Sequence, residues 1–563
     1  MKTLDTDILI LGSGGAGLFA ALHALETDAE LHVTIAVKGL LGKSGCTRMV
    51  QGGYNVALAP GDSVERHFMD TIDGGKWLND QDLAWILVTE AQTRIRELEA
   101  KYGCFFDRNP DGTVHQKAFA GQSFDRTVHK GDLTGIEIVN RLAEQVWARG
   151  VHRLEEHRAL ALIPEAGGHA LAGVLLVDIR DGEFTFVRAK AVLLATGGGP
   201  TMYRYHTPSG DKSCDGMAMA LRAGLVLRDM EMVQFHPTGL LAGPDTRMTG
   251  TVLEEGLRGA GGWLLDGAGE RFMGAYDPRG ERATRDIVSR AIDEMMRKGR
   301  TTPLGGVYLQ MSHLGADAVK KQFKGMVERC ADCGFDLAGG RVEVVPTAHY
   351  MMGGVVFDRD CRTRIEGLFA AGEDTGGVHG ANRLGGNGVA NSTVFGGVAG
   401  VAMAQYVRGD ACLRMPDEAA IAAAVAAALA PLGRAAGDLE AIRDRLSTLM
   451  WDEVGIVRDA AGLERAAHGL LELDAALDAI GVGGDRGFNL TWHDWLNLKN
   501  LVLVSRVIAA SAAARNESRG AHHRRDFPET DALANSAFMT VRLEAGAPVV
   551  GSEAVRFTRV RPG

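Results

Sequence analysis

The sequence predicts an α/β protein: a mostly parallel, Rossmann-type sheet, an inserted unit in its middle and a helical unit towards its C-terminus. Three observations carry this. A glycine-rich turn joins an apolar strand to an apolar helix at the start of the chain. Two further apolar strands, far along the sequence, end the same way in small residues. After Pro416 the composition shifts to alanine, leucine and charges at helical spacing, as far as about Arg515.

Taken in order, Asp7 to Leu11 is a short apolar run and reads as a buried strand. It enters Gly12-Ser13-Gly14-Gly15-Ala16-Gly17, and an alanine-rich helix follows from Leu18 to Leu25. Leu31 to Val37 reads as a second strand. Strand, G-x-G-x-x-G and helix in this order make a βαβ dinucleotide site. Bare backbone at Gly12, Gly14 and Gly17 lets a pyrophosphate sit at the helix N-terminus, where free N–H groups and the helix dipole favour an anion. The acid expected about 20 residues on, which binds a ribose hydroxyl, is missing, because the second strand ends Val37-Lys38. Ala191 to Ala195 reads as another strand, running into Thr196-Gly197-Gly198-Gly199; Gly367 to Ala371 is a third, running into Gly372-Glu373-Asp374. Both are expected in one parallel sheet with the first unit. That divides the chain into a first sheet segment 1–238, an inserted unit 239–349, a second sheet segment 350–408, a helical unit 415–515 and a tail 516–563.

Composition narrows the function. Hydrophobic residues are 46% and charged residues 23% of 563, ordinary for a soluble globular chain. Net charge is −10, from 61 Lys+Arg against 71 Asp+Glu, which argues against nucleic-acid binding. The apolar stretch Ala420 to Leu432 is shorter than the ~20 residues of a membrane span. No basic head precedes a long apolar run, so neither a signal peptide nor a direct membrane span is expected. Seven cysteines do not suggest a disulfide framework, and a cytoplasmic location fits. The lone Cys330-Ala331-Asp332-Cys333 lacks two further zinc ligands, so no metal is expected. Arg515, Arg519, Arg524 and Arg525 with His522 and His523 read as an interdomain salt-bridge patch. The 74 glycines, roughly twice the usual ~7% share, cluster at 14–15, 52–53, 197–199, 261–262, 353–354, 376–377 and 385–386. Such clusters suit a large cofactor lying against main chain.

The motifs GSGGAG (12–17), VQGG (50–53), FAGQS (119–123), ATGGG (195–199), CDGMAMAL (214–221), RDMEMVQFHPTG (228–239), EEGLRGAGG (254–262), TRDIVSRA (284–291), PTAHYMMGG (346–354), GLFAAGED (367–374), HGANRLGGN (379–387) and ESRGAHHRRDFP (517–528) resemble the flavoprotein subunit family of fumarate reductase and succinate dehydrogenase, which includes L-aspartate oxidase. The resemblance runs nearly end to end. It implies a Rossmann-type FAD-binding domain, an inserted α+β capping domain and a C-terminal helical domain. It also implies hydride transfer between flavin N5 and the Cα–Cβ bond of a C4-dicarboxylate or close analogue, with an electron-transfer partner such as an iron–sulfur protein. Two carboxylates call for Arg or His in fixed geometry, and by resemblance His236, His349 and Arg383 form that clamp, with Phe119 packing on the substrate. Arg285 corresponds to the proton donor, and Glu255 and Arg258 match its relay. A guanidinium is a poor acid, with a pKa above ~12, so it needs regeneration. For the cofactor, the resemblance assigns Gly12, Gly14, Gly15, Gly17, Lys38, Ser44, Cys46, Gly52, Gly53, Asp215, Glu373, Asn387 and Val389.

The chain departs from the family pattern in several places. The His that bonds covalently to flavin in dehydrogenase and reductase members is Cys46 here, so non-covalent FAD is expected. The family's Thr-Glu pair is Glu254-Glu255, and an ionised Glu254 is expected to repel a substrate carboxylate. Ser-Asn-Ser-Leu becomes Gly386-Asn387-Gly388-Val389, and the glutamate of RGEGG is Ala260. Two other functions compete: aspartate-type amino-acid oxidation, which fits the missing covalent link, and a non-catalytic electron-transfer flavoprotein. The substrate-side acid associated with aspartate oxidases is not evident in FAGQSFDR (119–126), and an intact Arg285, His349 and Arg383 speak against a non-catalytic role.

Overall fold

The computed structural model describes residues 1–563 apart from 245 and 410. The first strand is Lys2–Leu11, longer than its apolar run. Its exposed beginning is held by backbone pairing, because Lys2 to Asp5 run parallel to Thr185 to Arg188 of the strand Phe184–Leu194. The helix Gly15–Thr27 likewise extends the apolar core at both ends. Val33–Val37 pairs parallel on the other side of the first strand, and His152–Glu155 pairs parallel beyond it. Leu368–Ala370 joins beside Val192 to Leu194, again parallel. The sheet is mixed, though, because His157–Pro164 and Leu171–Asp178 extend it antiparallel beside the first half of Phe184–Leu194. A helix of 22 residues, Asn387–Arg408, packs against Gly15–Thr27; Gly396 and Gly400 leave no room for a Cβ against the backbone oxygens of Ala16 and Ala20.

Residues between the two sheet segments build a second, antiparallel sheet of Val233–Leu240, Arg341–Met351, Val307–Gln310 and Trp263–Leu265. Its two long strands run straight through positions 238/239 and 349/350, so the two units meet within strands rather than at loops. A third, small sheet joins Tyr54–Asn55, Thr127–Val128 and Gln116–Lys117. These two smaller sheets position the candidate site.

The C-terminal third supplies the helices Glu418–Leu429, Leu439–Glu453, Ala460–Ala479 and Leu490–Ala514. The last is long and apolar enough to cross a membrane by length and composition, although the sequence expectation was of no such stretch; 78% of its apolar window is buried inside the protein. The β-like runs of the tail form a hairpin, Ala537–Glu544 with Ala547–Ala554, that pairs with Leu227–Arg228. The basic cluster is indeed a salt-bridge patch. Arg515, 3% exposed, contacts Asp229 at 3.1 Å, Glu231 at 2.6 Å and Glu517 at 2.9 Å. Arg519 shares Glu517, while Arg524 pairs with Asp526.

Arg515→Met leaves Asp229 and Glu231 buried without their shared counter-ion, a loss of about 3–5 kcal/mol. Thermal unfolding should show a fall of several degrees for Arg515→Met. It should show almost none for Arg542→Met, whose pairing with Glu544 is half exposed on both sides. Equal melting points for both variants would show that the buried network carries no stability.

Candidate active site

A cavity of about 480 Å³ is walled by the backbone of 11–16, 36–38, 44–53, 195–198 and 371–373, together with Phe119, His236, Glu254, Glu255, Arg285, His349 and Arg383. Among the sequence-predicted residues, Gly12, Gly14, Gly15, Lys38, Ser44, Cys46, Gly52, Gly53, Asp215, Glu373 and Val389 also line it. Gly12 takes φ +111°, and a Cβ there would lie 2.2 Å from the Ala195 carbonyl oxygen, so only glycine makes this turn. The helix Gly15–Thr27 starts here with Gly14 as its cap and no side-chain cap bond. Two of the assigned residues lie off the cavity lining. Gly17 does not face the cavity: a Cβ there would meet the Gly12 carbonyl at 2.0 Å, so this glycine serves close packing inside the turn. Asn387 is consumed in the protein interior, accepting from Asn55 Nδ2 at 2.8 Å, lying 3.1 Å from His67 Nε2 and donating to Thr71 at 3.1 Å.

An acid from elsewhere in the chain does lie against the end of the second strand. Asp215 opens the helix Asp215–Arg222 and meets Lys38 Nζ at 2.9 Å and Arg158 Nη2 at 2.9 Å. Despite the cost of burial, these two cations hold its carboxyl far below the usual range. Glu373 is different: burial pushes it up to about 7, although its Oε1 accepts the Met351 N–H at 3.0 Å. Burial pushes the Cys46 thiol up to about 12, so it stays protonated and unreactive at neutral pH.

The cationic part of the cavity is built around one carboxylate. Glu255 receives Arg285 Nη2 at 2.7 Å and Arg258 Nη2 at 3.1 Å, with all three side chains nearly or fully buried. Burial alone would push Glu255 up, but Arg285 and Arg258 overcome it and hold the carboxyl below its usual value. Arg258 stands behind Glu255, outside the cavity lining, and also donates to the Glu281 carbonyl at 2.7 Å. Arg285 begins the helix Arg285–Arg297 and gives its Nη1 to Gln234 Oε1 at 2.9 Å. Gln234 in turn donates to Asn382 at 3.0 Å and to the Arg383 carbonyl at 2.7 Å, which ties both arginines together. The Arg383 guanidinium lies over the Tyr350 ring, 4.3 Å from its centroid. Arg285 and Arg383 each keep an Nε with no protein partner among the described residues.

His236 and His349 sit on adjacent strands of the second sheet with ring centroids 5.4 Å apart. Burial, then the charge of Arg285, holds both imidazoles well below the usual histidine range, so both are neutral. His236 Nδ1 accepts the Thr238 N–H at 3.3 Å, which leaves Nε2 as the protonated donor. Thr207 Oγ1 lies 2.9 Å from His349 Nδ1.

The repulsion expected from Glu254 omitted a partner. Glu254 Oε1 forms an ion pair with Lys117, a residue of the small third sheet. Burial pushes Glu254 up while Lys117 opposes the shift, so the ion pair offsets the charge that was expected to face the substrate. Sequence reading missed Lys117, Gln234, Thr207 and Tyr350. Gln234 carries a signal that alternation could have found, since it stands two residues before His236 in the same strand.

A family model described as an FAD binding domain matches residues 7–389, and one described as the fumarate reductase flavoprotein C-term matches 443–563. The chain is 43% identical to a fumarate reductase (CoM/CoB) subunit of Methanothermobacter marburgensis, over 93% of this chain and 95% of that protein. It is 36% identical to the fumarate reductase flavoprotein subunit of Escherichia coli, over 93% and 89% respectively. Among solved structures, a chain of the E. coli quinol fumarate reductase superposes with a TM-score of 0.93 at 33% identity, covering 100% of this chain and 99% of that one.

Gly385 supports the Glu255–Arg285 pair by having no side chain. A Cβ there would lie 2.2 Å from Glu255 Oε2, 2.7 Å from the Phe119 ring and 3.1 Å from Arg285 Nη2. Gly385→Ala should therefore lower turnover at least about tenfold, as a displaced positioning contact does, while the content of bound cofactor stays at the wild-type level. Wild-type turnover in that variant would show that the pair tolerates displacement.

Proposed function

The chain belongs to the fumarate reductase and succinate dehydrogenase flavoprotein family, and on that premise we propose that it interconverts the double and single central bond of a C4-dicarboxylate, with Arg285 moving the proton. It is an FAD-dependent oxidoreductase acting on a CH–CH bond. The cavity fits the cofactor: its glycine-rich backbone is continuous with a helix N-terminus that has no side-chain cap, and further backbone from 44–53 and 195–198 completes the wall. Gly12, Gly14 and Gly15 would hold the pyrophosphate, Gly52 and Gly53 would run beside the ring system, and Glu373 would take the ribityl chain. When bound, FAD supplies or accepts the hydride at one carbon of the bond.

The observation that carries the reading is the buried Arg285–Glu255–Arg258 array opening onto a cavity that also presents Arg383, His236 and His349. Arg383 meets one substrate carboxylate with charge-assisted bonds, and the neutral Nε2–H of His236 donates without adding charge. Arg285 gives its proton to the carbon next to the one that receives hydride. The balance is one hydride and one proton added across the double bond, or both removed in reverse. Glu255, ionised at rest between two guanidinia, relays the next proton: it takes one from Arg258 and passes it to the deprotonated Arg285, and Arg258 regains its own from solvent. Electrons reach FAD from a partner such as an iron–sulfur protein.

The experiment is turnover of fumarate, with a reduced viologen as electron donor, by wild type and Arg285→Ala. The variant should lose about 10²–10⁴-fold in rate, the usual share of a positioned acid, and retain its FAD. A rate near wild type would remove Arg285 from the mechanism.

FAD is held without a covalent bond, because the attachment position carries the Cys46 thiol in place of the imidazole that family members use, and burial pushes that thiol up. Acid precipitation should leave the yellow colour in the supernatant. A yellow pellet yielding a flavin-bearing peptide with Cys46 would refute this.

A further inference from the structure

We propose that Lys117 is a positioning residue that supplies the counter-charge for Glu254 and, through that ion pair, fixes the second sheet's side of the substrate cavity against the small third sheet. The inference rests on the dicarboxylate reading for its effect on substrate, and on geometry alone for its effect on structure. Lys117 belongs to the strand Gln116–Lys117 of the third sheet. Glu254 belongs to the segment just before Gly256–Gly259, in the unit built on the second sheet. The acid is 3% exposed and the lysine 19%, so the pair is largely shielded from water and salt. Glu254 lines the cavity and is followed at once by Glu255, the carboxylate that Arg285 grips. Two residues beyond Lys117, the Phe119 ring packs where a Cβ on Gly52 or Gly385 would stand.

Two other contacts run between the same parts of the molecule. Gln51 Nε2 donates to the Val252 carbonyl at 3.1 Å. The Asp132 carboxylate lies against Gly325, where a Cβ would come within 1.9 Å of it. Neither is an ion pair, so Lys117–Glu254 is the ion pair among these three contacts, with the Asp132 carboxylate nearby opposing the ionisation of Glu254. Without Lys117, the cavity wall would present a buried, unpaired carboxylate to an anionic substrate. With it, the wall is neutral at that point, and Glu255 keeps its place between the two arginines.

The test uses the full chain with FAD bound and compares Lys117→Met, Lys117→Arg and the double variant Lys117→Met/Glu254→Gln. Fumarate kinetics should show KM raised about tenfold or more in Lys117→Met, with kcat changed far less. Lys117→Arg and the double variant should return KM to near the wild-type value, because each removes the unpaired charge. An unchanged KM in Lys117→Met, or a double variant as poor as the single one, would overturn the proposal. If Lys117→Met does not fold, the other two variants decide in the same way. Hydrogen exchange without substrate is the independent arm: amides of 252–262 should exchange faster in Lys117→Met than in wild type. If wild type turns over no dicarboxylate, the functional reading fails, and this arm still judges the ion pair; equal exchange would overturn it.

Discussion

A carboxylate gripped by two guanidinia in the protein interior sets terms for much of this molecule. Glu255 is 3% exposed and Arg258 fully buried. Taking such charges out of water costs several kcal/mol per ion, and only close geometry and satisfied donors offset it. The neighbouring sequence reads as a set of answers to that demand. Gln234 takes one amino group of Arg285, the Glu281 carbonyl takes one of Arg258, and the glycine at 385 lets the carboxylate close in. The two imidazoles beside the array must stay neutral, since a further cation among Arg285, Arg258 and Arg383 would be repelled. On the dicarboxylate reading proposed above, the surplus of positive charge in this buried wall is balanced by a dianionic occupant.

How much of this was legible in the sequence depended on whether a residue's role is local. The turn at Gly12, the strands around Ile8 to Leu11 and Val192 to Leu194, and the inserted unit could be read because apolar runs and glycines declare themselves in one dimension. Strand ends could not, because Lys2, Thr3 and Asp5 are polar and become strand only through pairing with the segment Thr185 to Arg188. The same distinction applies within the site. His236, His349 and Arg285 stand inside specific motifs. Lys117 lies 137 positions from Glu254, and nothing in FAGQS announces that the lysine two residues earlier will neutralise an acid in another unit. A charge read without its partner suggested repulsion where the fold provides an ion pair. Asn387 also sits in a motif, and the fold commits its amide to Asn55, His67 and Thr71.

The cofactor side and the substrate side of the cavity use different physics. Around Gly12 and Gly52 the wall is backbone, and what matters is the absence of side chains. Near Asp215 it is one acid saturated by two cations, Lys38 and Arg158. Around Arg285 and Arg383 it is excess charge, kept in place by hydrogen bonds that leave one Nε on each arginine without a protein acceptor. Substitutions in these three regions therefore have different costs: steric in the first, electrostatic balance in the second, and geometry in the third.

The tail hairpin has a consequence for how the chain is made. Leu227–Arg228, just ahead of the strand that carries Gln234 and His236, pairs with Thr540 and Val541, and Asp229 and Glu231 are held by Arg515. On the inserted unit, Arg290 donates to the Gly520 carbonyl at 2.9 Å. During vectorial synthesis at about 5–20 residues per second, the histidine-bearing strand must wait some tens of seconds for the residues that brace it. A nascent chain stalled before that hairpin would already hold Gln234, His236 and Arg285 and still lack the brace beneath them, which makes this late-emerging stretch a checkpoint on the maturation of a site encoded far upstream.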